Sequence, residues 1–247
     1  MRRPLVWLLI PIAFFGIWLG VDLTNTHFVV QYEPNTSLDQ WCDVSGTFNC
    51  TAVARSKYSH LSLGEGRPHL PVSLPAVGFF AVLALLGLIA GATGDEKKAR
   101  SAVALAGWIL VPALVFSVYL LGVQVFALKT FCIKCLLIDA AVVAAFVVAT
   151  LAHGGGPGAL LRGAFPLPGG TLAAGLVLGL VVNGATWTSY AERVRVQEAK
   201  NAVIEAGSSG GQDAHAGHGH AAGEGHGKSG APPASVEDLS PEQQEEV

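Results

Sequence analysis

Five apolar runs constrain this chain more than anything else in it: Leu5–Thr24, Pro71–Gly91, Ala102–Val125, Cys132–Leu151 and Thr171–Tyr190. Each holds about the 20 residues that a helix needs to cross a hydrocarbon layer of about 30 Å. Inside lipid a backbone has to satisfy its own hydrogen bonds, which helices do within one segment. Pro11 and Pro112 fall inside two of the runs. Kinks and not breaks are expected there, because neighbours or water satisfy the freed carbonyls. Composition agrees: 51% of the residues are hydrophobic and only 13% charged, about half the charged share of an ordinary soluble domain. The net charge of −3 builds no case for a nucleic-acid partner. The predicted fold class is an all-α integral membrane protein: a four-helix transmembrane bundle, a fifth transmembrane helix and a disordered tail. Met1-Arg2-Arg3 also looks like the basic start of a cleaved signal peptide. The apolar stretch after it is long for that, and no small-x-small site precedes Asp22.

Charge orients the spans. Arg2 and Arg3 precede the first, and Lys97, Lys98 and Arg100 fill the second connection, so both places are expected on the cytoplasmic side. Alternation then puts Asn25–Leu70, Phe126–Phe131 and everything after Tyr190 outside. Arg55, Lys57 and Arg67 in the long loop run against the bias, but long loops weigh little in it. Cys42 and Cys50 lie in the first external loop, while Cys132 and Cys135 open the fourth span at its external end. All four cysteines are thereby expected on one oxidising side, where disulfides persist.

Cys132-Ile133-Lys134-Cys135 is a C-x-x-C motif. On a helix its sulfurs share a face, close enough to bond. A cysteine at a helix N-terminus feels the positive end of the dipole, which favours the thiolate that attacks or leaves; Lys134 adds a positive charge. A structural disulfide or half of a zinc site fits the spacing too, the second with Cys42 and Cys50 as further ligands. Cys42 and Cys50 have seven residues between them, Gly46 among these, a spacing that serves a plain bridge equally well. Two dithiols on one face suggest a relay in which thiolate attack passes electrons from pair to pair.

With these residues in view, the chain resembles the vitamin K epoxide reductase family in its bacterial form. The likeness covers about residues 5–152. It rests on Cys42 and Cys50 in the first loop, Ser56 six residues after Cys50, Leu70-Pro71-Val72-Ser73 opening the second span, and Cys132-Ile133-Lys134-Cys135 opening the fourth. Another group of quinone-linked disulfide-generating membrane proteins, the DsbB type, carries C-x-x-C in the first loop, the reverse of the order here. The resemblance implies a quinone-dependent thiol oxidoreductase in a bacterial cytoplasmic membrane, with its cysteines on the periplasmic side. A reduced thioredoxin-like or DsbA-like partner gives electrons to Cys42–Cys50. Cys50 then attacks Cys132, and Cys135 is freed as the thiolate facing a quinone, ubiquinone or menaquinone, held among the four helices. The outcome is disulfide formation in exported proteins. A surface helix over Thr51–Leu61 would bring Cys50 to Cys132. Where the family often has a tyrosine, four residues after the last cysteine, this chain has Asp139. Asp139 is a candidate to hydrogen-bond the quinone or, equally, a group paired with a neighbouring helix. Ser56 and Ser73 are further candidates at the quinone site or beside the cysteines.

The expected organisation is a catalytic bundle over 1–152, a cytoplasmic linker over 153–170 bracketed by Gly/Pro clusters, a fifth span over 171–190 and an external tail over 191–247. Ala191–Ala206 suits a charged helix leaving the membrane. From Gly207 the composition is too poor in apolar groups to order itself. Bacterial relatives commonly tether a thioredoxin-like domain to such a fifth helix. No cysteine follows Cys135, so a separate partner is expected, unless the sequence is a truncated fusion. His215, His218, His220 and His226 are weak metal-ligand candidates. They carry the competing reading, a non-catalytic metal-binding membrane protein. A scaffold with two static disulfides is the third.

Overall fold

The computed structural model describes residues 2–33, 41–62, 68–162 and 169–209, the side chains of 169–172 and 205–209 excepted. Helix α1 (Arg3–Val6) and helix α2 (Leu9–Tyr32) make the first span. Proline 11 has no N–H for the Trp7 carbonyl, and Ile10 N–H donates to that oxygen instead, at 3.3 Å. The regular hydrogen-bond ladder is interrupted over Trp7 and Leu8, but both residues keep right-handed helical angles, and the span carries on through Pro11. Next come the short helix α3 (Cys50–Arg55) and an antiparallel pair, β1 (His60–Leu61) with β2 (Leu70–Pro71), registered His60 to Pro71 and Leu61 to Leu70. Helix α4 (Leu74–Ala92) and helix α5 (Glu96–Gly122) follow, α5 running without interruption through Pro112 into a π-helical segment, Val123–Leu128. The last three helices are α6 (Ile133–His153), α7 (Gly156–Arg162) and α8 (Gly169–Ser209).

Among the described residues, four helical stretches are long and apolar enough to cross a membrane: Arg3–Tyr32, Leu74–Ala92, Glu96–Leu128 and Ile133–His153. The protein is therefore an all-α multi-pass membrane protein. The chain divides into two compact units, Met1–Val203 and Ile204–Val247; in the second, the described part is the end of α8, through Ser209. Phe14, Val115, Val118 and Phe126 are well exposed, as side chains facing lipid are, while Phe80, Leu83, Leu110 and Leu160 are fully buried. Small residues bring the helices together, since van der Waals packing has to hold what the hydrophobic effect cannot drive inside lipid. A Cβ added at Gly16 of α2 would come 2.5 Å from the Phe80 ring of α4. One at Gly107 of α5 would come 2.6 Å from Leu160 of α7.

The end of the bundle away from the cysteines is tied by its chain ends. Arg2 N–H donates to the Ala152 carbonyl at 2.9 Å, and the Arg3 guanidinium to the Gly94 carbonyl at 3.0 Å. Asp95 caps α5, accepting from the amides of Lys97 and Lys98. The stretch expected as a plain linker, 153–170, holds α7, whose Leu161 carbonyl accepts from Trp108 Nε1 at 2.7 Å. At the other end two elements depart from expectation. Helix α2 runs on past Thr24 to Tyr32, because a helical ladder continues wherever its backbone bonds are made, whereas hydropathy reports only the lipid. The helix expected over Thr51–Leu61 stops at Arg55, where Ser56 turns extended and leads to β1.

Replacing Gly16 by Leu should force the Phe80 ring aside at a cost of about 1–3 kcal/mol. Thermal unfolding in detergent is expected to show a lowered Tm for that variant. Gly184→Ala, with nothing within 4 Å of the added atom, should not lower it.

Candidate active site

Cys42 and Cys50 are joined as a disulfide with Cα atoms 5.8 Å apart, and Cys132 and Cys135 carry free thiols. The chain between the first pair turns tightly: the amides of Val44 and Ser45 donate to the Phe48 carbonyl at 3.0 and 3.2 Å. The turn then locks onto the segment ahead of α6. Phe131 N–H donates to the Thr47 carbonyl at 2.7 Å, and Asn49 N–H to the Phe131 carbonyl at 3.0 Å. This makes a single bridge between Phe48 and Phe131, with their rings 5.8 Å apart. Asn49 caps α3, its Oδ1 accepting from Ala52 N–H at 2.7 Å, and Asp43 accepts from the amide and hydroxyl of Thr51. Two backbone hydrogen bonds thus bring loop and helix entry together. Cys42, Cys50 and Cys132 form one buried cluster, with Cys135, Leu23, Val53 and Ile133 packed against it.

Cys132 stands just ahead of the span, as the N-cap of α6, its sulfur accepting from Cys135 N–H at 3.2 Å. Its own N–H donates at 2.7 Å to Gln124 Oε1, a buried side chain carried by the π-helical segment. The Cys132 thiol is held below the ordinary thiol range. The hydrogen bond from the Cys135 side chain contributes most, the Cys135 amide and the Lys134 charge add to it, and burial opposes them. Lys134 is itself buried and pairs with Asp22 of α2 at 2.6 Å, its ammonium 5.8 Å from the centre of the Trp41 ring. Cys42, Asp43 and Cys50 are the one group among the described residues close enough to share a metal ion. With both sulfurs in a disulfide, no thiolate is available there to bind one.

A cavity of about 380 Å³ opens between α2, α4, α5 and α6 beside these cysteines. Cys50, Cys132 and Cys135 line it, and so do Ser56, Ser73 and Asp139. Phe79, Ile109, Pro112 and Phe116 make much of its wall. Size and chemistry, a mostly apolar pocket with a few polar groups, are those of a small-molecule site. Ser56 Oγ donates to the Val53 carbonyl at 2.8 Å, and Ser73 Oγ shares a hydrogen bond with Thr24 Oγ1 at 2.9 Å. Asp139 takes a hydrogen bond from Ser117, while its Oδ2 is buried with no partner among the described residues. Of the predicted bundle residues, all but Cys42 line this one cavity, and Cys42 is tied to it through its disulfide with Cys50. His215, His218, His220 and His226 lie outside the described residues.

The sequence reading passed over Gln124 and, more seriously, His27. His27 is 3% exposed, lines the same cavity, and bonds through Nδ1 to the Tyr190 hydroxyl of α8 at 3.0 Å. The signal was present in Asp22, Thr24, Asn25, Thr26 and His27, polar groups directly after an apolar run and readable as the polar end of the same helix.

Comparison with known proteins brings one match. The family model described as "Vitamin K epoxide reductase family" matches residues 7–150. No curated protein matches the chain.

The rate of Cys132 alkylation by iodoacetamide, located by peptide mass, should rise with pH through a midpoint below that of a free thiol. In Cys135→Ala, which removes the main hydrogen bond, the midpoint should move up.

Proposed function

The chain belongs to the vitamin K epoxide reductase family, and from that membership we propose that it oxidises the dithiol of an external thioredoxin-like or DsbA-like protein and reduces a membrane quinone. The family makes it a membrane oxidoreductase of the quinone-linked disulfide kind. The observation that carries the finer reading is the shared burial of Cys50 and Cys132 at a cavity that Cys135 also lines. The partner dithiol reduces Cys42–Cys50 and leaves as a disulfide. Given an oxidised Cys132–Cys135 pair, the Cys50 thiolate attacks Cys132, forming Cys50–Cys132 and releasing Cys135. Cys42 then attacks Cys50, which restores Cys42–Cys50 and leaves Cys132 and Cys135 reduced. That dithiol gives two electrons to the quinone and closes again, and two protons complete the quinol. The pairing present here, an outer disulfide over two inner thiols, is the state ready to reduce quinone. Ubiquinone and menaquinone both satisfy this chemistry.

Ser56, Ser73 and Asp139 are the polar groups assigned to the quinone head, with Asp139, protonated, donating to an oxygen. The catalytic unit is residues 1–152. Arg2, Arg3, Lys97, Lys98 and Arg100 gather at the end opposite the cysteines, which supports a cytoplasmic face there and a periplasmic face at the cysteines. Helix α8 is read as a fifth span. Leu176, Val177, Leu180 and Val181 are all well exposed on it, and Gly78 of α4 leaves room for Asn183. It takes the tail, with His215, His218, His220 and His226, to the cysteine side.

With a reduced thioredoxin-like protein as donor, wild-type membranes should reduce quinone, and Cys135→Ala should abolish this and accumulate a Cys50–Cys132 link in non-reducing digests. Wild type that reduces neither ubiquinone nor menaquinone analogues would sink the reading. A phosphatase reporter that works only outside the membrane should be inactive when fused after His153 and active after Ser209. Activity at both sites would remove the fifth span.

A further inference from the structure

His27 is the buried polar group of the cavity that the relay leaves unused. It is almost wholly enclosed, its Nδ1 is engaged by Tyr190, and its Nε2 is buried with no hydrogen-bond partner among the described residues. A buried ring nitrogen without a partner is costly to keep unless something visits it. Two further imidazoles stand beside it. The His60 ring meets it edge-on at 5.5 Å between centroids, and the His69 ring lies 4.3 Å from that of His60. Both come from the paired segments ahead of α4, where the half-exposed His60 reaches water. Ser59 lines the cavity as well and touches His60 Nδ1 through its hydroxyl at 3.2 Å.

We infer that His27 is the proton-donating catalytic residue of the quinone site, with Tyr190 of α8 as its positioning residue and His60 and His69 as its route to water. The inference rests on the quinone-reducing function proposed above. The dithiol of Cys132 and Cys135 supplies two electrons as it closes, and its two thiol protons leave. The quinone oxygens take up two protons. One of them comes through Nε2 of His27, a ring that burial keeps neutral at rest and that takes a proton from His60 only as the transfer is made, while its Nδ1–H stays on the Tyr190 oxygen before and after. Tyr190 in turn bonds to Tyr32, so its oxygen is free to accept. The neutral ring is reloaded from water through His60 and His69; one thiol proton is released to the same water, and the other thiol proton goes to the second quinone oxygen. Atoms and electrons balance, and His27 ends as it began. Burial first, and the neighbouring His69 second, hold His60 below the ordinary imidazole range, so it is neutral near pH 7 and able to accept the proton it passes on.

The titratable groups facing His27 are Tyr190 from α8 and His60 and His69 from the paired segments; Tyr58 lines the same cavity, and Cys50 of α3, which also lines it, is held in the disulfide. Across the cavity α6 presents Cys132, Cys135 and Asp139, while α4 and its cap present Ser73 and apolar side chains. Asp22, on His27's own helix, is held by Lys134. Arg193 of α8 stacks on Phe28, at 4.6 Å from its ring centre, and bonds Asn25.

The test uses the full chain in membranes, a reduced thioredoxin-like donor and a soluble ubiquinone analogue. His27→Gln keeps the size and a hydrogen-bonding end but cannot carry the proton. Its kcat should fall about 100-fold, the scale of lost acid–base catalysis, with KM for the quinone nearly unchanged. The imidazole limb of the pH–rate profile should vanish, and added imidazole should restore part of the rate. Tyr190→Phe should keep the limb but displace it. Reduction of Cys42–Cys50 by the donor, followed by thiol trapping, should be as fast in both variants as in wild type. If His27→Gln fails to fold, His60→Gln carries the test, expected to lower kcat and raise the solvent isotope effect. A wild type that turns over, with variants that keep its kcat and pH profile, overturns this inference alone. A wild type without turnover overturns the function beneath it and this inference with it.

Discussion

A backbone inside hydrocarbon has to find every hydrogen-bond partner within the protein, and this chain meets that demand with helices until it reaches the end that does chemistry. There it leaves regular structure, and each departure is answered locally. The π-helical segment ends in Lys129, held at a positive φ of 52°, and the next residues are taken up by loop amides and carbonyls at Phe131. That exchange of two hydrogen bonds is the joint on which the site depends. Without it, the loop carrying Cys42 and Cys50 has no fixed place over the helix carrying Cys132 and Cys135.

On the two sides of the joint the cysteines sit in different surroundings. Cys132 is fixed three ways, by its place at the head of α6, by Gln124 on its amide and by the Cys135 amide on its sulfur. Cys42 sits on the far side of the turn, beside the exposed rings and side chains of Trp41, Val44 and Phe48. In the proposed relay, a sulfur exchanging with a large protein needs that accessible surround, whereas a sulfur that meets a small ring needs a rigid, dry one. Lys134 serves both, its charge lowering the pKa of Cys132 while its head pairs with Asp22. A buried cation left without that carboxylate would cost several kcal/mol.

The fifth helix gains a meaning in the structure that its composition does not supply. As an apolar run in the sequence it reads only as one more candidate span. In place, its Tyr190 meets His27, Phe28 and Tyr32 at the polar end of α2, and Asn201 donates to the Tyr32 carbonyl at 3.0 Å. It is thus joined to the bundle at the level of the cysteines.

Four of the spans, the placing of the cysteines as two sets along the chain and the family were legible in the sequence, because each depends on length, hydropathy or spacing along the chain. Apolar runs of about twenty residues leave one solution in lipid, and C-x-x-C at the head of such a run puts its first sulfur at a helix N-terminus whatever surrounds it. Ser56, Ser73 and Asp139 were candidates by their place near motifs, but nothing in their spacing showed that they would line one cavity. Where α2 ends, and that a histidine on its last turns looks into the cavity, were decided by tertiary structure. Local propensity cannot say which face of a helix end is covered. Only the arrival of α8 and of the segments around His60 and His69, distant in sequence, encloses His27 and turns an ordinary polar helix end into part of the site.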